Sequence, residues 1–139
     1  MAARHILVCT DFSDPSKAAI AVAAEEANAH GSKTTLLHVI DANAFVPPQS
    51  VLRPQEHSED ESSAKAKLDA LRDELLQGAD TVVLVDRAPA KAICDFANEN
   101  GVELIVCGSR GQGPVERWLI GSVAERIVRH AECSVYVVR

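Results

Sequence analysis

Apolar residues are distributed along this chain in two alternating patterns. Short, nearly continuous apolar runs occur at His5 to Thr10, Lys33 to Ile40, Thr81 to Val85, Val102 to Cys107 and Cys133 to Val138. Runs of that length without strict alternation predict strands covered on both faces. Between them, apolar positions recur at helical spacing: Ala18, Ala19, Val22, Ala23 and Ala27; then Ala64, Leu68, Leu71 and Leu75 within Glu59 to Gln77; then Ala92, Ile93, Phe96 and Ala97; and finally Val123 to about His130. Pro15 and Pro89 suit first helical positions, Ser13 or Asp14 can cap the first helix, and Gly31, Gly78 and Gly101 suit helix stops. Strand and helix alternate four times before a last strand. With right-handed crossovers this predicts an α/β fold, a doubly wound, open five-stranded parallel sheet with helices on both faces. One irregular stretch is predicted from Asp41 to about Ser58. It carries Pro47, Pro48 and Pro54, and is long enough to be a lid or binding loop.

The stretch with the most chemistry is Gly108-Ser109-Arg110-Gly111, followed after nine residues by Gly121-Ser122. It lies between a predicted strand and a predicted helix. Glycines permit tight turns and close backbone approach, and the first N–H groups of a helix lack intrahelical partners. Together these features form an anion cradle suited to phosphate. In doubly wound sheets ligands bind beyond the carboxyl ends of the strands, where the winding reverses. The turns at Thr10-Asp11 and at Gly108 to Gly113 both lie at such ends.

Composition narrows the reading. The 139 residues suit a single domain spanning 1–139, long enough to bury a core without disulfides or metal. With 47% apolar and only 4% aromatic residues, that core is aliphatic. The net charge of -6 argues against nucleic acid or an anionic membrane as the main partner. The four cysteines show no metal-ligand spacing. No signal-peptide pattern or membrane-length apolar run occurs, so the expected location is cytoplasmic, with reduced thiols and no membrane insertion.

Several blocks in this order resemble the universal stress protein family. They are Ile6-Leu7-Val8-Cys9-Thr10-Asp11-Phe12-Ser13, Leu37-His38-Val39-Ile40-Asp41, Leu104 to Gly111, and Gly121 to Ala131. The resemblance covers the chain apart from Asn43 to about Ser62. It implies strand order 3-2-1-4-5 and a homodimer paired along the last strand, 133–138. It also implies the ATP-binding kind of member, which the glycine motif marks. The expected function is that of an ATP-binding regulatory or stress-response protein, with ATP and Mg2+ as the bound group and an unidentified regulatory protein as partner. By this resemblance Asp11 lies near adenine and ribose, and Val39 offers a backbone contact to the base. Gly108, Arg110 and Gly111 surround ribose and phosphates, and Gly121, Ser122 and Val123 form the phosphate-binding helix start. Cys9 stands where the family commonly has proline and Cys107 where it commonly has methionine; both are expected to line the base pocket. Ser134 likewise stands in place of a common proline.

Each of these residues also has a plainer reading. Gly111 and Gly121 can be turn or packing glycines, Ser122 a helix cap, Asp11 a cap of the first helix, and Arg110 a solvated loop residue. Cys9 and Cys107 read first as small buried hydrophobes and second as a redox pair. His38 and His130 read as structural or solvated, and Trp118 as a packing residue. No Walker-type lysine follows the glycines, and no base or nucleophile stands within the glycine segment. The expected role is therefore binding rather than catalysis, with slow ATP hydrolysis and a scaffold with an empty site as the alternatives.

Overall fold

β1 (His5–Cys9), α1 (Asp14–His30), β2 (Lys33–Asp41), α2 (Pro54–Leu75), β3 (Asp80–Asp86), α3 (Pro89–Glu99), β4 (Leu104–Gly108), α4 (Ser122–His130) and β5 (Ser134–Val138) follow one another along the chain. The structure, a computed structural model, describes residues 3–42, 54–110 and 120–139, and for 54–60 the backbone alone. All five strands are parallel, in the order β3-β2-β1-β4-β5, as the resemblance implies. β1 is central, pairing Val8 with Leu36 on one side and with Val106 on the other. The winding reverses between β1 and β4.

Alternate side chains of the central strands feed two separate cores. Ile6, Val8, Leu36 and Val106 pack with Ala19, Ile20 and Ala23 of α1 and Leu68 and Leu71 of α2. Leu7, Leu37, Ile105 and Cys107 face the other way, onto Ile93, Cys94 and Ala97 of α3 and Ala124 and Ile127 of α4. Burial on both faces explains why these strands read as unbroken apolar runs.

Local chemistry sets the helix ends. Ser13 is the N-cap of α1 and accepts from the Ser16 N–H at 3.3 Å, with Pro15 in the first turn. Gly31 ends that helix in the left-handed conformation at φ 64°, where glycine escapes the Cβ penalty.

Two expectations need correcting. The stretch from Asp41 to Ser58 is not irregular throughout, because β2 includes Asp41 and α2 begins at Pro54. Residues 55–61 are polar and largely acidic, so they carry no apolar stripe to mark a helix. They nevertheless suit a first turn, where proline loses no hydrogen bond and acidic groups meet the positive helix end. Residues 43–53 lie outside the described residues. In α1, Ala18 faces solvent, and Ile20 takes the inward position. An alanine-rich helix has too little contrast between faces for spacing to fix its rotation.

Leu37 is wholly buried in the core under α3 and α4. Leu37→Ala is expected to lower unfolding stability by about 2–5 kcal/mol, read from a urea transition shifted to lower midpoint with unchanged slope.

Candidate functional site

Beyond the carboxyl ends of β1 and β4 lies a cavity of about 360 Å³. Cys9, Thr10, Asp11, Val39, Cys107, Gly108, Arg110, Gly121, Ser122 and Val123 all line it. They come from four separate segments, so the fold gathers the sequence-predicted residues at the winding switch point. Gly111 and Gly113 fall outside the described residues, as do Arg117 and Trp118. Ser109 of the glycine stretch also lines the cavity, as do Ser16, Leu37, Pro89 and Ile93, which the sequence did not mark as site residues. Pro89 and Ile93 open α3 beyond the end of β3, and only the packing of α3 over the sheet brings them there.

Backbone bonds shape the glycine wall. The Ser109 N–H donates to the Val138 carbonyl at 2.8 Å, and the Ser109 carbonyl accepts from the Gly121 N–H at 2.6 Å. One residue thus ties the end of β4 to both β5 and the start of α4. Gly121 has φ -67°, and Gly108 is not among the positive-φ glycines, so neither needs left-handed freedom. Close approach is what disfavours a side chain. A Cβ on Gly108 would lie 3.3 Å from the carbonyl oxygens of Pro15 and Arg110, and one on Gly121 would lie 3.2 Å from the Ser109 oxygen. Of the turn and packing readings open for these glycines, the contacts favour packing.

The three helix starts around the cavity differ. The α1 start is satisfied by Ser13, whose N–H and hydroxyl in turn donate to the Asp11 carboxylate, the former at 3.0 Å. Asp11 is therefore not itself the cap but orients the cap residue. The N-cap positions of α3 and α4, Ala88 and Gly121, make no side-chain cap bond. Gly121 to Ala124 at the start of α4 line the cavity, whereas the first turn of α3 contributes only Pro89, which has no N–H, and the Asp86 carboxylate accepts from the Ala88 N–H at 2.8 Å. The uncapped start of α4 carries a partial positive charge and outward N–H groups, so its end of the cavity suits an anion. Arg110 adds a full positive charge beside it.

The opposite wall is a tightly held turn. Thr10 donates its N–H to Leu37 O at 2.9 Å, and its hydroxyl bonds the Ser16 hydroxyl at 2.7 Å. Phe12 follows with φ 66°, a left-handed conformation that costs a non-glycine residue on the order of 1–3 kcal/mol.

The cavity floor is apolar and carries thiols. Cys9 and Cys107 directly follow the paired Val8 and Val106 on neighbouring strands, and all four cysteines are free. Burial pushes the Cys9 thiol well above its ordinary value, with the Cys107 and Cys94 thiols adding to the effect. Burial likewise raises Cys107 to about 11, with Cys94 contributing. These groups are neutral thiols at physiological pH, which supports the reading of small hydrophobes over a reactive pair. Among the described residues no cluster of three or more His, Cys, Asp or Glu could hold a metal.

Comparison with known proteins finds the same fold and a family. The universal stress protein family model matches residues 2–139. A universal stress protein of Thermus aquaticus is 32% identical over 98% of both chains. The structure of a universal stress protein of Lactobacillus plantarum superposes with a TM-score of 0.77 at 29% identity, covering 97% of each chain. A universal stress protein of Archaeoglobus fulgidus, solved in complex with dAMP, superposes at 0.61 with 26% identity over the full length of both.

Thiols with raised values lose their protons later in the folded than in the unfolded chain. Between about pH 9 and pH 11 the folded protein retains protons that the unfolded one has released, so stability falls as pH rises through that window. Urea midpoints of the wild type are expected to drop more steeply from pH 8.5 to 10.5 than those of Cys107→Ala; equal slopes would contradict the burial argument.

Proposed function

This chain belongs to the universal stress protein family, and on that premise we propose that the switch-point cavity binds an adenine nucleotide, ATP with Mg2+. The observation that carries the proposal is the meeting, in one cavity, of an apolar floor with the uncapped start of α4. The base lies against Cys9, Val39 and Cys107, with Asp11 toward the ribose. The phosphates lie at Gly121, Ser122 and Val123 beside Arg110. A volume of about 360 Å³ falls within the range of small-molecule sites. The dAMP complex of the Archaeoglobus relative supports an adenine ligand. Mg2+ characteristically arrives with phosphates and keeps few protein ligands, so it needs no preformed cluster.

The role is holding the nucleotide, as a regulatory or stress-response protein whose occupancy biases a partner surface. Asp11 and Arg110 are the charged side chains among the described lining residues. Asp11 is already engaged with Ser13, which fits binding better than proton transfer. Four free thiols suit the reducing cytoplasm.

The functional unit is a homodimer paired along 133–138. β5 is an edge strand with Tyr136 46% exposed, and Val128 of α4 is 51% exposed. Such an edge invites pairing unless it is covered. Among the described residues no helix is long and apolar enough to cross a membrane.

Protein purified without added nucleotide and then denatured should release an adenine nucleotide, identified by chromatography. Stripped protein at Mg-ATP one hundred times the Kd should gain about 2.7 kcal/mol of stability. Gly121→Val should abolish that gain by separating Ser109 from the start of α4. No released nucleotide together with no gain at millimolar Mg-ATP would overturn the reading. Sedimentation of Tyr136→Glu should show a monomer where the wild type is a dimer.

A further inference from the structure

We propose that His38 and Phe12, which do not line the cavity, are positioning residues that hold the Thr10–Asp11 wall in its nucleotide-binding shape. This rests on the nucleotide reading above. His38 Nδ1 lies 2.7 Å from the Thr10 carbonyl oxygen. A carbonyl can only accept, so Nδ1 carries the proton and donates. The Phe12 ring packs on the same imidazole with centroids 4.5 Å apart, tilted by 48°. The Phe12 N–H donates to the Thr10 hydroxyl at 3.0 Å. From α2, the Lys67 ammonium lies 5.2 Å from the ring centroid, within cation–π range.

These contacts converge on the one described non-glycine residue with positive φ. A backbone in that region persists only where its surroundings over-determine it, and such residues gather at binding sites. Thr10 and Asp11 line the cavity and stand immediately before the strained residue. The His38 imidazole secures both sides of this turn, the carbonyl before Asp11 and the ring after it. Without His38, Phe12 can relax to negative φ, and the Asp11 carboxylate then leaves the cavity wall. The strain is thus held by β2 and serves a wall built by β1.

The test compares His38→Asn, whose amide nitrogen can replace Nδ1, with His38→Leu, which keeps apolar bulk without a donor. AMP and Mg-ATP affinities are measured by calorimetry on stripped protein, and hydrogen exchange is measured on a peptide covering 10–16 without nucleotide. His38→Asn should bind like the wild type. His38→Leu should bind both ligands about tenfold more weakly, the effect of one lost hydrogen bond. The factor should be the same for AMP and Mg-ATP, because the wall faces the nucleoside and not the phosphates. Exchange in 10–16 should rise in His38→Leu alone, with the rest of the chain protected as in the wild type. Unchanged binding and exchange in His38→Leu, equal losses in the two variants, or a rise in exchange spread over the whole chain would each overturn the proposal. If the wild type binds neither ligand, the nucleotide reading fails. The exchange comparison then decides by itself: local release in 10–16 upholds His38 as the holder of this turn, and uniform release overturns it.

Discussion

The parallel ladder between β1 and β4 is the constraint on which the rest depends. Ile6, Leu7 and Val8 pair in register with Leu104, Ile105 and Val106, joining two halves of the chain about a hundred residues apart in sequence. Because β1 also pairs with β2, the helices that follow β1 and β4 must leave toward opposite faces. A cleft opens where they diverge, beyond the carboxyl ends of the two strands.

Backbone contact, more than side-chain chemistry, then gives the cleft its walls. Gly108 lets the start of α1 come against β4, and Gly121 lets α4 begin against the Ser109 carbonyl. Both glycines have φ values open to other residues at no great cost, so the restriction is contact with neighbouring carbonyl oxygens. The helix starts share out their unsatisfied N–H groups unevenly. Ser13 and Asp11 complete α1 and Asp86 takes the Ala88 N–H before α3, while α4 starts without a side-chain cap at the cavity. A site for an anion is thus formed by leaving the start of α4 uncapped, with the arginine as an addition.

The floor of the same cavity has the opposite character. Neutral thiols and aliphatic side chains make it a poor place for charge and a suitable one for a flat, weakly polar ring. The division between apolar floor and positive rim lets one cavity recognise both ends of a nucleotide. It follows from strand ends meeting helix starts, an arrangement that needs no additional domain.

The sequence by itself determined the order and type of the elements, because doubly buried strands and amphipathic helices leave distinct periods. It also marked the polar turns at Thr10-Asp11 and Gly108–Arg110, since glycine spacing and strand ends are local signals. It missed the first turns of α2, where a polar, acidic run has no stripe to read, and it assigned Ala18 rather than Ile20 to the buried face of α1. Only the tertiary structure decided which glycine property matters, because distances of 3.2 and 3.3 Å to distant carbonyls are invisible in a linear pattern. It alone showed Asp11 orienting a cap residue, Pro89 and Ile93 reaching the cavity from α3, and His38 gripping the turn before a strained Phe12. These contacts join residues from different layers, and a sequence encodes such meetings only through the packing of the whole chain.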